Sequence, residues 1–328
     1  MPDKHIGKNV LITSAGRRVS LVQYFLHAVS QTGAGQVFAV DMNPALSAAC
    51  QIADGFESIC SVMDPDYANQ LLANCQRHDI SLVVPTIDTE LMLLANLRDE
   101  WAEQHNINIV ISRPDLVSKC RDKRETSALF AALGLATPTE LETTSPVYPR
   151  FIKPLAGSRS IDIHIVNDAS EMTPVLADTS HYLHQELVDT QRFKEFTVDA
   201  FYDAQGTLRS VVPRERIEVR DGEVSKSKTH KGALVGVLTE ALSTLQGAYG
   251  CLTLQFFVAF DNPAAPEILG IEINPRFGGG YPLTQQAGAT YVDWLVLEHF
   301  TGQTAGYFDG WIDELVMLRY DAEVFLRD

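Results

Sequence analysis

A short group of polar residues in the last third of the chain has the types and spacing for metal-dependent phosphoryl transfer. In the run Glu272-Ile273-Asn274-Pro275-Arg276, the period of two of an extended strand places Glu272 and Asn274 on one face. Gln255 reaches the same face if its own extended segment pairs with this one as a hairpin. A carboxylate and two amide oxygens suit Mg²⁺, which keeps few protein ligands and takes the others from phosphates. With Arg276 close by, the group predicts a magnesium–triphosphate site.

Residues upstream could hold the rest of a nucleotide. Lys153 ends a predicted strand and is followed by a turn that contains Gly157 and Ser158. A lysine beside such a turn can bind phosphate oxygens while backbone N–H groups cover them. The turn is not a Walker A loop, which needs GxxxxGK[ST] at the start of a helix. An extended crossing at residues 184–188 could present backbone amides to adenine, and Glu195 a carboxylate to ribose hydroxyls.

The elements that must position these residues follow two patterns. From residue 9 to about 118, short β-branched runs alternate with amphipathic stretches, which predicts βαβ crossovers and a parallel, Rossmann-like sheet. One helix is predicted from Lys119 to Thr137. Hairpin-like segments then predominate, with a further helix at Ala233–Ala248, so the second part is predicted to be α+β. The fold class is therefore α/β, with an open parallel sheet first and a mixed α+β unit after it.

Ligands of open parallel sheets bind at the carboxyl ends of the strands, and two arginines follow the first strand here. A dinucleotide site would need GxGxxG at this place, but only Gly16 is present, so we set an NAD role aside. Arg17 and Arg18 either are solvated at the start of a helix or pair with an anionic substrate group. Asp88 and Glu90 follow another strand, and either can cap the next helix, which is the interpretation we prefer for Asp88. Contact with a substrate amine is the alternative for both.

Composition restricts the class of partner. The chain has 328 residues, with 26 Lys and Arg against 42 Asp and Glu, and a formal net charge of −16. This balance disfavours a nucleic acid or an anionic membrane as partner, since both need clustered cations. The five cysteines form no CxxC pair, which is typical of free thiols in a reducing compartment. We therefore expect a cytoplasmic protein that acts on small molecules.

Taken in order, the motifs resemble the ATP-grasp superfamily, and most closely the ATP-binding halves of the carbamoyl phosphate synthetase large chain and their stand-alone relatives. The resemblance covers nearly the whole chain. It implies a pre-ATP-grasp domain at residues 1–118, a small lid subdomain at 119–188 and a C-terminal subdomain with the metal site at 189–328. The motifs that carry it are Asp122-Lys123, Ile152-Lys153-Pro154, Gln185-Glu186-Leu187-Val188, Lys194-Glu195, Leu254-Gln255-Phe256 and the run from Glu272 to Arg276.

The resemblance also implies roles for single residues. Those expected to bind ATP are Lys123 and Lys153 at the phosphates, with Gly157 and Ser158 above them, Glu186, Leu187 and Val188 at adenine, and Glu195 at ribose. Those expected to bind two Mg²⁺ or Mn²⁺ ions are Gln255, Glu272 and Asn274. Those expected to face the transferred phosphoryl group or the acid are Arg276 and Arg216. The remaining candidates for substrate recognition are Arg17, Arg18, Gly278 and Gly279.

The activity implied is that of an ATP-dependent ligase, which joins a carboxylic acid to an amine or amino acid through an acyl phosphate and releases ADP and phosphate. Two alternatives stay open, a small-molecule kinase or ATPase of the same fold and a nucleotide-binding regulator without turnover. The basic run Lys226–Lys231 is interpreted either as a flap over the triphosphate or as a solvated loop. The oligomeric state is also open, and the frequent dimerisation of relatives allows a homodimer.

Overall fold

The structure is a computed structural model that describes residues 8–33, 35–155, 162–220 and 222–327. Gly157 and Ser158, which the sequence predicts to cover the phosphates, lie outside the described residues. The described strands form a five-stranded parallel sheet, a three-stranded sheet and a six-stranded sheet. The prediction of an α/β chain with a parallel sheet first and an α+β unit after it is therefore confirmed.

The N-terminal sheet has the strand order β3-β2-β1-β4-β5, with all neighbours parallel. Helices pack on both faces, which is why the central strands are continuous apolar runs. The chain order reverses between β1 and β4, so their carboxyl ends flank the switch point of the sheet. The elements are β1 (Asn9–Ile12), α1 (Val19–Thr32), β2 (Val37–Asp41), α2 (Ala48–Ile52), β3 (Gly55–Ser58), α3 (Tyr67–Arg77), β4 (Ile80–Val84), α4 (Asp88–Glu100) and β5 (Asn108–Ile109).

Two helices and the three-stranded sheet follow. The segment predicted as one helix from Lys119 to Thr137 belongs to two helices and ends at Ala132. Asp122 separates them and caps the second by accepting hydrogen bonds from the backbone N–H groups of Arg124 and Glu125. The elements are α5 (Pro114–Arg121), α6 (Lys123–Ala132), β6 (Arg150–Pro154), β7 (His164–Val166) and β8 (Tyr182–Glu186), and β6 is the central strand.

The six-stranded sheet has the order β13-β12-β9-β10-β11-β14 and antiparallel pairing throughout. Lys226 to Thr229 are part of strand β11, so neither the flap nor the loop interpretation of that run holds. The predicted helix that begins at Ala233 ends earlier than expected, at Leu242. The elements are β9 (Phe193–Tyr202), β10 (Leu208–Arg220), β11 (Glu223–Thr229), α7 (Ala233–Leu242), β12 (Gly250–Ala259), β13 (Glu267–Asn274), α8 (Tyr281–Gln286), α9 (Tyr291–Thr301) and β14 (Val316–Leu318).

The two faces of the six-stranded sheet differ in character. One face forms an apolar core with α6 and α7, to which Phe196, Val198, Leu254 and Phe256 contribute. Because successive side chains of a strand alternate between faces, the residues between these four lie on the opposite face. We call it the polar face of the sheet. The residues on it are Glu195, Thr197, Asp199, Arg214, Arg216, Thr253, Gln255, Glu272 and Asn274. No helix among the described residues is long and apolar enough to cross a membrane.

Candidate active site

The predicted metal ligands lie together on the polar face of the sheet. Strands β12 and β13 pair as the expected hairpin, with Gln255 directly opposite Glu272 and Thr253 opposite Asn274. Opposed residues of an antiparallel pair present their side chains on the same face. The Asn274 Nδ2 atom donates a hydrogen bond of 2.9 Å to the Glu272 Oε1 atom. The amide oxygen of Asn274 is therefore left to serve as a ligand beside the carboxylate.

A break in strand pairing occurs immediately beside this group. Gln255 pairs with Glu272, whereas the next residue, Phe256, pairs with Gly270, so Ile271 is an extra residue in β13. A β-bulge of this kind bends the strand and changes the direction of nearby side chains, and bulges are frequent next to active sites. The irregularity is therefore a feature that orients Glu272 relative to Gln255.

Two lysines, Lys153 on strand β6 and Lys123 at the start of helix α6, interact electrostatically with Glu272. Lys153 is buried, and burial, reinforced by Lys123 and opposed by Glu272, lowers the pKa of Lys153 to about 8. Burial also lowers the pKa of Lys123, against the influence of Glu272 and Asp122. The backbone N–H of Lys123 donates to the Leu155 carbonyl at 3.1 Å, which fixes the start of α6 to the end of β6. Poorly solvated cations of this kind bind an incoming anion favourably.

The segment predicted to meet adenine begins where β8 ends. The Glu186 side chain accepts hydrogen bonds from the backbone N–H and the hydroxyl of Thr139, both at 2.9 Å, so it fixes the end of the strand. Among the described residues, no protein acceptor takes the backbone N–H of Leu187 or of Val188. Val188 also packs against the apolar cluster of Phe193, Ala259 and Leu269. The segment thus has free amides next to apolar side chains, which suits an adenine ring.

Glu195 and Arg216, predicted separately for ribose and for the phosphoryl group, form an ion pair. The Arg216 Nε atom lies 2.9 Å from the Glu195 Oε1 atom, and the Arg216 Nη1 atom donates to the Thr197 hydroxyl at 3.3 Å. Burial raises the pKa of Glu195, although Arg216 opposes that shift. Arg216 therefore lies on the polar face with its guanidinium group directed toward the predicted ribose ligand.

Arginines from three separate parts of the chain meet where the N-terminal sheet faces the end of β13. We call Arg18, Arg276 and Arg319, with Asp88 and Glu223, the arginine cluster. Arg276 donates from Nε and Nη2 to both carboxylate oxygens of Asp88, at 2.8 and 2.7 Å. Arg319 donates from Nη1 to Glu223 at 2.6 Å and from Nη2 to the Gly279 carbonyl.

Arg18 enters this cluster from the end of strand β1 of the N-terminal sheet. It donates to the Thr86 carbonyl at 3.4 Å, and its pKa is lowered to about 10, first by burial and then by Arg276. Arg17, its neighbour, is exposed. Arg18 and Arg319 together hold the pKa of Glu223 below its usual value despite the burial of that carboxyl.

The glycines that follow Arg276 allow close approach of charged groups. A Cβ atom on Gly279 would lie 3.1 Å from the Glu223 carboxylate, and one on Gly280 would lie 2.2 Å from the Arg214 Nη1 atom. Gly278 is buried against Thr253. Larger residues at these positions would therefore displace the side chains that line the cluster.

Arg214, two residues before Arg216 on strand β10, lies in the interior beneath the polar face. It is fully buried and pairs with the equally buried Asp199, with 2.9 Å between Nη2 and Oδ1. The hydroxyls of Thr253 and Thr284 also donate to the Asp199 carboxylate, at 3.1 and 2.6 Å. This network links strands β9, β10 and β12 with helix α8 beneath residues 278–280. It therefore restrains the backbone of these glycines.

The expectation that Asp88 caps α4 is wrong. Ile87 is the N-cap residue, and Glu90 supplies the capping contacts by accepting from the backbone N–H groups of Thr86 and Ile87, at 2.9 and 3.2 Å. Glu90 is fully buried and also accepts from the hydroxyls of Thr13, Ser14 and Tyr67. The Asp88 carboxylate is thereby free to hold Arg276. No local sequence pattern marks Arg319 or Glu223, so neither was a candidate from the sequence.

Family models match most of the chain. A model described as ATP-grasp domain matches residues 120–280, and one described as PylC-like, N-terminal domain matches residues 10–110. The fold and the matched segments together define an ATP-grasp protein, and the chain belongs to the ATP-grasp superfamily. The segment that matches the PylC-like N-terminal domain coincides with the five-stranded parallel sheet and its helices.

Solved structures support the same fold. The chain is similar to the biotin carboxylase–β,γ-ATP complex from Campylobacter jejuni, with a TM-score of 0.73 and 14% identity over 94% of this chain and 74% of that one. It is similar to the L-amino acid ligase from Bacillus licheniformis, with a TM-score of 0.68 and 17% identity over 95% and 79%. It is also similar to the N5-carboxyaminoimidazole synthetase from Staphylococcus aureus complexed with ADP, with a TM-score of 0.66 and 15% identity over 97% of this chain and 82% of that one. No curated protein matches the chain in sequence.

Proposed function

We propose that the protein is an ATP-dependent carboxylate–amine ligase that works through an acyl phosphate. The observation that carries the proposal is the polar face of the six-stranded sheet, where Gln255 and Asn274 lie beside Glu272 and Glu272 acts electrostatically on Lys153 and Lys123. This donor set fits a divalent cation and a triphosphate. The similar structures include a carboxylase with a β,γ-ATP ligand, a synthetase with ADP and an amino acid ligase, which supports the same reaction class.

ATP binding follows from the placement of the groups around the three-stranded sheet. Leu187 and Val188 would present free backbone amides to adenine, and Glu195 would accept from ribose hydroxyls. Lys153 and Lys123 would bind the phosphates, and their desolvation makes the attraction to a triphosphate stronger than it would be in water. Gln255, Glu272 and Asn274 would hold Mg²⁺ or Mn²⁺, with two ions proposed. When bound, the metal would neutralise charge on the phosphoryl oxygens.

The reaction would then proceed in two displacements. In the first, a carboxylate oxygen of the acid attacks the γ-phosphorus, the bond to the β–γ bridging oxygen breaks, and ADP leaves with the bonding electrons. Arg276 would stabilise the negative charge of the incoming carboxylate and of the transferred phosphoryl group. Arg216, on the polar face, would add positive charge that stabilises the transferred phosphoryl group. In the second, the amine attacks the acyl carbon, phosphate leaves, and the amine nitrogen loses a proton. No covalent intermediate with a protein nucleophile is required.

The first experiment incubates the purified protein with Mg²⁺, ATP and pooled carboxylic acids, with and without pooled amino acids. ADP, AMP and new product masses are measured together. The ligase proposal predicts ADP that depends on the acid, and a product whose mass equals acid plus amine minus water. ADP with a phosphorylated product and no condensation would instead identify a kinase, and AMP would contradict the acyl-phosphate route. Tight binding of Mg-ATP without any turnover would favour a nucleotide-binding regulator.

A further inference from the structure

Strand β14 lies at the edge of the six-stranded sheet. It pairs with β11 on one side, and none of the strands among the described residues pairs with its other side. The N–H group of Arg319, just after the strand, donates to the Ser225 carbonyl of β11 at 2.8 Å. Along an antiparallel pair, residues that exchange such hydrogen bonds alternate with residues that do not. Leu318 and Val316 therefore direct their backbone N–H and C=O groups out of the sheet, away from β11.

This edge has none of the features that usually prevent a sheet from pairing with another strand. Such features are charged side chains, prolines and bulges. The run from Leu315 to Leu318 contains only apolar residues, and its register with β11 is regular. The side chains of Val316 and Leu318 are 51% and 67% exposed, and those of Tyr320 and Phe325, further along the chain, are 81% and 89% exposed. The edge is therefore suited to receive an extended strand, with apolar surface beside its outward backbone groups.

The charges around β14 favour a second copy of this chain as the partner. The whole chain has a formal net charge of −16, so most of its surface would repel another copy. Around β14, four acidic and four basic side chains form ion pairs that leave no net charge. The pairs are Glu218 with Lys226, Glu314 with Lys228, Asp321 with Arg220, and Glu223 with Arg319. Two copies can therefore meet at this edge without the repulsion that opposes their contact elsewhere.

We propose that the protein forms a homodimer in which the β14 strands of two copies pair antiparallel, so that two six-stranded sheets become one continuous sheet. An antiparallel pair of identical strands is related by a two-fold axis, which is the symmetry of most homodimers. With that axis at Met317, Val316 exchanges both backbone hydrogen bonds with Leu318 of the partner subunit, and Leu318 does so with Val316 of the partner subunit. Every outward backbone group of β14 then has a partner. The proposal does not depend on the ligase function.

The backbone on either side of β14 supports this alignment. Glu314 has a φ of 56°, and its N–H already donates to the Thr229 carbonyl at 3.2 Å. An axis at Val316 would bring Leu318 opposite this residue, which has no N–H left to donate. An axis at Leu318 would pair Val316 with Tyr320, beyond the end of the strand. The axis at Met317 is the alignment in which β14 pairs only with β14.

The oligomeric state in solution tests the proposal. Light scattering after size exclusion should give twice the mass of one chain for the wild type. In Val316→Lys and Leu318→Lys, we expect the dissociation constant of the dimer to rise about a hundredfold or more, because two ammonium groups would lie at the new strand pair. Both side chains are exposed in the single copy, so circular dichroism should show an unchanged fold. Val237→Lys, at an exposed valine of helix α7, is the matched control and should stay dimeric.

Two results would overturn the proposal. The first is a wild-type protein that is a monomer at the highest concentration measured. The second is a dimer that both lysine variants retain, because the contact between the copies would then lie elsewhere. These measurements need neither ATP nor a substrate, so neither result bears on the ligase function.

A disulfide locates the pairing directly. In the proposed alignment Met317 faces Met317 of the partner subunit as a non-hydrogen-bonded pair, whose Cα atoms lie about 4.5 Å apart, within the range of a disulfide. Met317→Cys should therefore form a disulfide-linked dimer on mild oxidation, seen on a non-reducing gel. Met42→Cys is the control, because that methionine is 67% exposed but follows β2 in the N-terminal sheet, and it should stay unlinked. A Met317→Cys dimer without the disulfide would contradict this pairing of the strands.

Discussion

Asp88 and Arg276 form a two-point ion pair between residues 188 positions apart in the chain. Asp88 begins helix α4 of the N-terminal sheet, and Arg276 follows the metal-ligand candidates at the end of β13. Both residues are less than a third exposed. The Arg276 guanidinium group is expected to meet the phosphoryl group. Its orientation therefore depends on how the N-terminal sheet with α4 is placed against the end of β13.

Asp88→Asn should reduce turnover without preventing ATP binding. The amide has one acceptor oxygen and no charge, so Arg276 loses one of its two hydrogen bonds to Asp88 and the ionic attraction, and its guanidinium group is held less firmly. We expect kcat to fall about ten- to a hundredfold, in line with the loss of one charged hydrogen bond, while the affinity for Mg-ATP changes little. Steady-state kinetics and nucleotide calorimetry measure the two effects separately.

The control for this variant is Asp99→Asn, in the same helix, which alters an exposed carboxylate paired with Arg98. It should leave both quantities unchanged. An Asp88→Asn protein with normal kcat would mean that the ion pair serves domain docking alone.

Glu272→Gln should abolish turnover, because it removes the only carboxylate among the three proposed metal ligands. The glutamine is isosteric, so strand pairing with Gln255 is retained and the thermal midpoint should stay near that of the wild type. The measurement is ADP release as a function of Mg²⁺ concentration. Glu267→Gln in the same strand is the matched control, because that carboxylate is exposed and pairs with Arg192. Unchanged activity of Glu272→Gln would refute the metal assignment.

The metal-ligand group could be placed from the sequence because its geometry is local. The period of two in a strand puts Glu272 and Asn274 on one face, and a short connection makes pairing with the segment of Gln255 the simplest topology. The parallel sheet was predictable for a similar reason, since helices and strands alternate along the chain. The short strand β3 and helix α2 were missed because segments of four and five residues carry little periodic signal.

The arginine cluster could be predicted only in part. Arg18 and Arg276 stand out because they follow predicted strands, where ligands of such folds bind. The contact between Arg319 and Glu223 spans 96 residues and depends on how β14 pairs with β11, which no local pattern specifies. Of the two carboxylates expected to cap helix α4, Glu90 does so and Asp88 does not, because the sequence could not show which of them faces the helix start.

Lys153→Met should make the protein more stable and weaker in ATP binding. Burial lowers the pKa of Lys153 to about 8, so at neutral pH the fold holds a charged amine in a place that disfavours it. Methionine fills a similar volume without charge, and we expect the free energy of unfolding to rise by about 1 kcal/mol or more. The dissociation constant for Mg-ATP should rise about tenfold or more, because a charged phosphate contact is lost.

Thermal unfolding and calorimetry with Mg-ATP test both effects of Lys153→Met. The exposed Lys226→Met is the control, and it should change neither quantity appreciably. A Lys153→Met protein that is less stable and binds ATP normally would show that the lysine is a structural residue.

Two glycine substitutions should have opposite effects on stability. A Cβ atom on Gly280 would come within 2.2 Å of Arg214 Nη1 and 2.8 Å of Val224 Cγ1, so Gly280→Ala must displace a fully buried ion pair. We expect a loss of about 2 kcal/mol or more. Gly236 lies inside helix α7 with nothing within 4 Å of a Cβ atom, so Gly236→Ala should gain about 0.5–1 kcal/mol. Denaturant unfolding measures both, and a neutral Gly280→Ala would contradict the packing described here.

His299 should make the protein less stable in mildly acidic solution. Burial lowers the pKa of this imidazole to about 4, from 6.5, and its Nε2 atom lies 2.9 Å from the Ser81 hydroxyl. Because the folded-state pKa is below the unfolded one, the unfolded chain binds the extra proton first as the pH falls. Stability should therefore decline from about pH 6.5 to pH 4, by at most about 3 kcal/mol from this group, and this contribution should be constant below pH 4. His299→Gln cannot take up that proton, so its unfolding free energy should fall less over the same range. Parallel slopes for wild type and variant, from denaturant unfolding at a series of pH values, would show that His299 does not cause the decline.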